Sequence, residues 1–151
     1  MQPQSDWFER LVAEEWSRAV MAATHRFGEV REQVVCALGS ADPQVRSAAI
    51  ATLNEADDAA AHDLVAALAD DCDAHVRGEV LEYLEQFPTE ADVPLLLGNL
   101  KARNHLFLTS SALARLCGTN GPLIDDEELE SGAASSIAEW ERILRVRGLV
   151  A

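Results

Sequence analysis

The densest group of side chains that could perform chemistry is the run Asp70-Asp71-Cys72-Asp73-Ala74-His75. A cysteine near a histidine is typical of a nucleophile–base pair, and thiolate, imidazole and carboxylate groups are the usual ligands of zinc. No further ligand pair follows at the spacing of a metal finger, and the run has the composition of a loop that ends in a helix cap. We therefore predict a structural loop at this position, without a catalytic or metal-binding role.

The other polar groups give weaker signals of chemistry. The acidic run 125–128 could attract a cation, but it lacks the alternating oxygen ligands and the glycine of a calcium loop. His25, His62 and His105 each stand alone in the sequence, and neither a glycine-rich phosphate loop nor a Gly-x-Ser-x-Gly motif is present. The sequence thus predicts no enzyme activity, no cofactor and no metal site.

The composition indicates a helical protein that binds neither nucleic acid nor an anionic membrane. Of the 151 residues, 48% are hydrophobic but only 5% are aromatic, and alanine and leucine dominate, which favours helix over sheet. The formal net charge is −14, from 26 acidic and 12 basic residues, whereas nucleic-acid binding requires lysine and arginine to neutralise phosphates. The electrostatic counterpart of such a chain is a basic protein.

The cysteines and the apolar segments predict a cytoplasmic location. Cys36, Cys72 and Cys117 are odd in number and far apart, which is typical of free thiols in a reducing compartment. The first residues lack the basic and apolar regions of a signal peptide, and no run approaches the roughly 18 apolar residues of a membrane span.

One apolar pattern recurs along the middle of the chain. It places apolar side chains at positions i, i+4, i+5 and i+8, which share one face of a helix. The matches begin at Val30, Val45, Ala60, Val76, Asp92 and Leu108. Only Asp92 is not apolar, and the matches follow one another at intervals of 15 or 16 residues. The pattern predicts consecutive amphipathic helices that form three pairs.

Two of the predicted helices begin with a shared motif. The segments Asp42-Pro43-Gln44-Val45-Arg46 and Asp73-Ala74-His75-Val76-Arg77 resemble the Asp-x-x-Val-Arg signature of HEAT repeats. The resemblance covers residues 29–118 and implies that each motif opens the second helix of a pair, where its Asp and Arg help to join adjacent repeats. In the third pair His105 replaces the Asp and Leu108-Thr109 replaces Val-Arg, so we expect this pair to pack differently.

We predict a single domain over residues 1–151 that is an all-α, right-handed α-α superhelix of antiparallel helix pairs. Its predicted segments are an N-terminal capping helix (1–28), three HEAT-like helix pairs (29–118), an acidic loop (119–132) and a C-terminal capping helix (133–147). The first cap is predicted to be one helix over residues 6–26, with Trp7 and Trp16 on its apolar stripe. Such caps cover the apolar ends of a solenoid.

The negative charge is concentrated in one part of the chain. Residues 55–92 contain twelve acidic residues and a single arginine, Arg77, whereas residues 93–124 contain three basic residues and no acid. Acidic residues are common on any solvated helix face, and that interpretation stays open. The more specific interpretation is a docking surface for a basic partner.

The resemblance implies that the second helix of each pair lines a concave side, and we predict that the partner binds there. The predicted partner-binding residues are Gln44, Ser47, Glu55, His75, Glu79, Glu82, Tyr83, Gln86 and Phe107. Tyr83 and Phe107 are the candidate aromatic anchors. A slip of one residue along the helix would instead bury Phe107 in the core, and we favour this second interpretation for that residue.

These observations predict a monomeric protein–protein interaction module that binds a basic protein partner. A more specific version is an inhibitor or immunity protein that neutralises a toxin. The alternatives are a HEAT-like lyase or enzyme subunit, and a structural adaptor in a larger assembly. A chromophore bound after purification would favour the lyase, whereas a basic toxin encoded immediately upstream would favour the inhibitor.

Overall fold

The structure, a computed structural model, describes residues 6–118 and 121–151. These residues form nine α-helices and two 3-10 helices, and no strand occurs among them, which confirms the all-α prediction. The α-helices are α1 (Asp6–Glu14), α2 (Trp16–His25), α3 (Phe27–Ala37), α4 (Pro43–Glu55), α5 (His62–Ala66), α6 (Ala74–Gln86), α7 (Val93–Lys101), α8 (Leu106–Cys117) and α9 (Glu130–Val146). Residues 1–5 of the predicted N-terminal cap and residues 119–120 of the predicted acidic loop lie outside the described residues.

The chain divides into two compact units, residues 1–83 and residues 84–151. The first unit contains α1 to α5 and most of α6, and the second contains the end of α6 together with α7 to α9. No α-helix within the two described ranges has both the length and the apolar character that crossing a membrane requires.

Helices α4 and α6 begin as the repeated motif predicts. Asp42 accepts the backbone N–H of Gln44 at Oδ1 (2.9 Å), and Pro43 occupies the first turn, where its missing N–H leaves no helix bond unmade. Asp73 accepts in the same way from the N–H groups of His75 and Val76, at 2.9 and 3.1 Å. The two carboxylates therefore fix where the second helices of the first two pairs start.

The repeated apolar pattern supplies the core of each unit. All four of its positions in α4 and all four in α6 are buried, and Leu96 and Leu100 of α7 are completely inaccessible to solvent. Asp92 is also buried, with 4% of its surface exposed. Its carboxylate accepts the N–H of Thr89 at 2.8 Å, in a capping box that opens the 3-10 helix Glu90–Asp92. This bond explains why an acid occupies a core position of the pattern.

The helix predicted to start at Ala60 is shorter than its neighbours. A 3-10 turn, Ala59–Ala61, precedes α5, which ends at Ala66. Because a 3-10 turn holds fewer residues than an α-helical turn, the apolar residues of the pattern no longer lie on the same side of the helix. Ala60 and Leu64 are consequently exposed, whereas Val65 is fully buried.

Arg46 joins the first two helix pairs, as the resemblance implied for the Arg of the motif, whereas Asp42 and Asp73 cap their own helices. Its guanidinium donates two hydrogen bonds of 2.9 Å to the carboxylate of Asp71, and both side chains are largely buried. The guanidinium also donates to the backbone oxygen of Ser40 at 2.9 Å. The hydrogen bonds from Arg46 hold the pKa of Asp71 below its usual range, so the carboxylate stays ionised in the joint.

The N-terminal cap is a helical hairpin, not the single helix that we predicted over residues 6–26. Glu15 is extended (φ −160°, ψ 114°) and separates α1 from α2, which pack against each other and against α4. The break lets both short helices cover α4, with Phe8 and Val20 buried, whereas one straight helix of this length would span about 30 Å. The prediction was wrong because the sequence has neither glycine nor proline at the break.

In the second unit, the first part of the predicted acidic loop is packed against α8 and α9. Ile124 is fully buried, and its N–H donates to Ser110 Oγ of α8 at 3.0 Å. Trp140 of α9 is also fully buried and donates from Nε1 to the backbone oxygen of Pro122 at 2.6 Å. A Cβ atom at Gly121 would overlap the Trp140 ring, so only glycine fits there. Residues 125–128, in contrast, are exposed.

Candidate protein-binding site

The nine predicted partner-binding residues are divided between the two units. Those in the first unit are Gln44, Ser47, Glu55, His75, Glu79, Glu82 and Tyr83. Gln86 and Phe107 belong to the second unit. Exposure separates the residues further, because a partner can contact only side chains that solvent reaches.

Ser47 is covered by α2, which contradicts its predicted place on an open surface. Its side chain is fully buried, and Oγ accepts the indole N–H of Trp16 and donates to the Gln44 carbonyl, both at 2.9 Å. The prediction was wrong because it placed the N-terminal cap at the end of the helix stack, whereas α2 packs along α4. Gln44, at the start of α4, is exposed.

The two candidate aromatic anchors also differ from their predictions. Tyr83 is fully buried and donates its hydroxyl to the backbone oxygen of Asp58, and burial raises its pKa to about 12, so it belongs to the core. Phe107 is 49% exposed, so our preference for a buried Phe107 was wrong. His105 has left-handed backbone angles (φ 49°, ψ 56°), and the helix that follows it turns Leu106 into the core instead.

Trp16, His75 and Glu79 form a connected row in the first unit. The rings of Trp16 and His75 lie 5.6 Å apart between centroids, with 37° between their planes. One turn further along α6, Glu79 Oε1 lies 3.3 Å from Nε2 of His75. The His75 side chain is about half exposed (49%), whereas only 12% of the Glu79 side chain reaches solvent. The row therefore leads from the N-terminal hairpin to a largely buried carboxylate.

Glu55, Glu79 and Glu82 constitute what we call the acidic cluster. The pKa of Glu79 is raised from 4.5 to about 7, first by burial and then by the charges of Glu82 and Glu55, while His75 acts in the opposite direction. Glu55 and Glu82 are exposed and form no ion pair within the described part of the chain. A cation brought to this cluster would relieve the repulsion between the carboxylates.

Other acids of the segment 55–92 maintain the fold instead of facing a partner. Asp71 is bound by Arg46, and Asp58 accepts a 2.7 Å hydrogen bond from Nε of Arg31 while only 8% of its side chain is exposed. Asp92 lies in its capping box. The candidate site is therefore smaller than the acidic segment that the sequence outlined.

The second unit neutralises the carboxylate that it carries near the end of α6. Glu85 Oε1 accepts a hydrogen bond from Ser111 Oγ at 2.8 Å and another from the guanidinium of Arg115 at 3.2 Å. Gln86, the next residue, is partly exposed. The acidic cluster has no counterpart to Arg115 among the charges that act on Glu79.

An open apolar groove of about 790 Å³, which the sequence did not predict, runs along α2. We call it the α2 groove, and Trp16, Val20, Met21, Thr24 and Glu55 line it. Met21 is 73% exposed, so its side chain extends the apolar surface of the groove. The missed signal was Met21, a large apolar residue that follows Val20 but lies outside the predicted apolar stripe.

Cys72 and His75, the pair that first suggested chemistry, are both exposed. Over residues 6–118 and 121–151, no three His, Cys, Asp or Glu side chains lie close enough together to hold a metal ion.

A family model described as HEAT repeats matches residues 31–117, which is more than half of the chain. The match includes both Asp-x-x-Val-Arg segments and the divergent third pair, and nearly coincides with the predicted repeat region 29–118. Comparisons with curated proteins and with solved structures gave no match.

Proposed function

The chain belongs to the HEAT-repeat family, and we propose that it is a protein–protein interaction module that binds a basic protein segment at the acidic cluster. The observation that supports this most directly is the Glu79 carboxylate, which is only 12% exposed and is destabilised by the charges of Glu55 and Glu82, so that a partner's cation would stabilise it. We further propose that the chain binds as a monomer.

The acidic cluster destabilises the folded protein but would strengthen the binding of a basic partner. Glu55 and Glu82 repel Glu79, and the described residues supply no lysine or arginine to balance them. A lysine or arginine from a partner would form hydrogen bonds with the Glu79 carboxylate, which is already largely desolvated, and such charged bonds are about twice as strong as neutral ones. The net charge of −14 would also steer a basic partner towards the protein before contact.

The test is to capture partners with the tagged full-length chain and two double variants. Glu55→Lys/Glu82→Lys reverses the two exposed charges of the cluster. Glu9→Lys/Glu32→Lys makes the same charge change at exposed positions of α1 and α3, which carry no cluster residue. We expect a basic protein to be recovered with the wild type and with the control, and to be lost with the cluster variant. Equal recovery with both variants would reject the acidic cluster as the binding site.

A more specific proposal is an inhibitor or immunity role, in which the acidic cluster covers the basic active surface of a toxin. It predicts that the captured partner loses activity on its own substrate when the chain is added in stoichiometric amount. It also predicts that Glu55→Lys/Glu82→Lys restores that activity. A partner that stays fully active in the complex would instead favour an adaptor role.

A further inference from the structure

We propose that the segment recognised by this chain is a basic amphipathic helix, whose apolar face enters the α2 groove while its lysines or arginines reach the acidic cluster. This inference rests on the proposed function and extends it, because it assigns the partner's secondary structure and a second contact surface. The acidic cluster alone would accept any basic segment.

The α2 groove and the acidic cluster are continuous at two places. Glu55 lines the groove and is one of the charges that act on Glu79. At the other place, Trp16 lines the groove and its ring lies against His75, which contacts Glu79. A ligand that fills the groove therefore has the carboxylates within reach of its flanking residues.

The groove itself has the properties of a side-chain receptor. Its volume of about 790 Å³ lies within the range of pockets that bury a small ligand or several side chains. Met21 projects from its wall with 73% of its surface exposed, and methionine adapts to partners of varied shape. Arg18 also lines the groove, so the carboxylates that would attract a basic ligand lie at the end of the groove marked by Glu55.

The backbone of this site favours a helical ligand over an extended one. An extended peptide gains affinity by adding hydrogen bonds to the edge of a sheet. The groove is lined by α2 and the end of α4, whose backbone groups are bonded within their own helices. A helical ligand satisfies its own backbone and needs only an apolar stripe at i, i+3, i+4 and i+7, flanked by basic residues.

The experiment uses the full chain and two fluorescent peptides of about 18 residues, built from the same leucine, lysine and alanine residues. In the first peptide the leucines form one helical stripe, and in the second they are dispersed around the helix. We expect the first to bind about tenfold more tightly in fluorescence anisotropy and to gain helical circular dichroism on binding. Equal affinity for the two peptides would overturn the inference.

Two matched variants locate the apolar contact. Met21→Glu places a charge in the groove, and Val146→Glu makes the same kind of change at a residue of the second unit with similar exposure (76%). We expect Met21→Glu to weaken the striped peptide about tenfold although it adds an attractive charge, and Val146→Glu to leave binding unchanged. Met21→Gln, which adds no charge, should weaken binding in the same direction. Unchanged binding by both Met21 variants would overturn the inference.

The outcomes also separate this inference from the proposed function. If both peptides bind equally and Glu55→Gln/Glu82→Gln weakens both, the acidic cluster binds basic segments and the amphipathic helix is wrong. If neither peptide responds to the cluster variant, the proposed function fails as well. A concentration-dependent dimer in sedimentation that Met21→Glu abolishes would assign the groove to a second copy of the chain and overturn the inference.

Discussion

Ser47 and Ser110 occupy the same position in two different repeats, two residues after the first position of the apolar pattern in the second helix (Val45 and Leu108). Both side chains are fully buried, and both donate to the carbonyl three residues earlier. Their covers differ. In the first unit the indole N–H of Trp16 covers Ser47, and in the second unit the backbone N–H of Ile124 covers Ser110.

The comparison shows that one repeat position can lead to different surfaces. In the second unit, the segment 121–124 covers α8, and Trp140 binds this segment through the backbone oxygen of Pro122. In the same unit, Arg115 forms an ion pair with Glu85. The first unit covers Ser47 with a helix whose outer side is a groove, and it leaves the acidic cluster without a lysine or arginine. The second unit therefore covers its serine with a loop of its own chain and pairs its carboxylate, whereas the first unit has an apolar groove beside carboxylates that no lysine or arginine of the described residues pairs.

The largest expected effect is on stability, and it differs between Trp140 and Trp16. Trp140→Ala should reduce the free energy of unfolding by about 3–5 kcal/mol, because it removes a fully buried indole and releases the segment that carries Ile124. Trp16→Ala should cost less, about 1–2 kcal/mol, because solvent already reaches part of that ring.

Urea titrations followed by circular dichroism give the two costs, and hydrogen exchange assigns each cost to its unit. We expect Trp140→Ala to lower the protection of α8 and α9, and Trp16→Ala to lower that of α2. Equal losses of unfolding free energy would show that Trp16 and Trp140 stabilise their units equally, and would contradict the difference that we infer between the two units.

The second effect distinguishes Glu79 from Glu85. Because the folded-state pKa of Glu79 is about 7 and its ordinary value is 4.5, the folded state holds a proton that the unfolded chain has released between these pH values. Stability therefore falls as the pH rises through this window, by about 1–3 kcal/mol in total, since solvent reaches part of the site and screens its charges. Glu79→Gln should match the wild type near pH 4 and exceed it by about that amount near pH 8.

Glu85→Gln is the control, because the Glu85 carboxylate is already stabilised by Ser111 and Arg115. We expect no gain in stability for this variant near pH 8. Thermal unfolding of both variants across the pH range provides the measurement. A Glu79→Gln variant without a pH-dependent gain would show that the cluster carries no electrostatic strain.

Much of the fold follows from the sequence, because its signals are local. The repeat of the apolar pattern predicts α3, α4 and α6 to α8, and the Asp42 and Asp73 caps fix where α4 and α6 begin. The candidate site depends on contacts between distant segments. The pairing of Trp16 with Ser47 spans 31 residues, and nothing near either residue specifies it. For that reason the acidic cluster was predictable residue by residue, while the α2 groove and the cover over Ser47 were not.

A third, smaller effect tests the two serine positions directly. Ser110→Ala leaves the N–H of Ile124 buried without its acceptor, which should cost about 1–3 kcal/mol. Ser47→Ala should cost about 1 kcal/mol, because water can replace the lost acceptor at the partly exposed Trp16 indole. Urea unfolding compares the two variants. A larger cost at Ser47 would reverse our ranking of the covers.

The smallest effect concerns the way the second helices begin. Asp42 and Asp73 cap α4 and α6 with their side chains, whereas His105 precedes α8 in a left-handed conformation and provides no side-chain cap. Because glycine adopts positive φ angles without the steric cost of a Cβ atom, His105→Gly should stabilise the protein by up to about 1 kcal/mol.

The control for this prediction is Ala102→Gly, since Ala102, the residue that follows α7, has a negative φ that any residue can adopt (φ −80°, ψ −2°). Glycine there only increases the entropy of the unfolded chain and should cost about 0.5–1 kcal/mol. Thermal unfolding of both variants measures the two shifts, which we expect to have opposite signs. If His105→Gly destabilises the protein as Ala102→Gly does, the imidazole makes a stabilising contact that outweighs the left-handed strain, and the start of α8 is as well supported as the starts of α4 and α6.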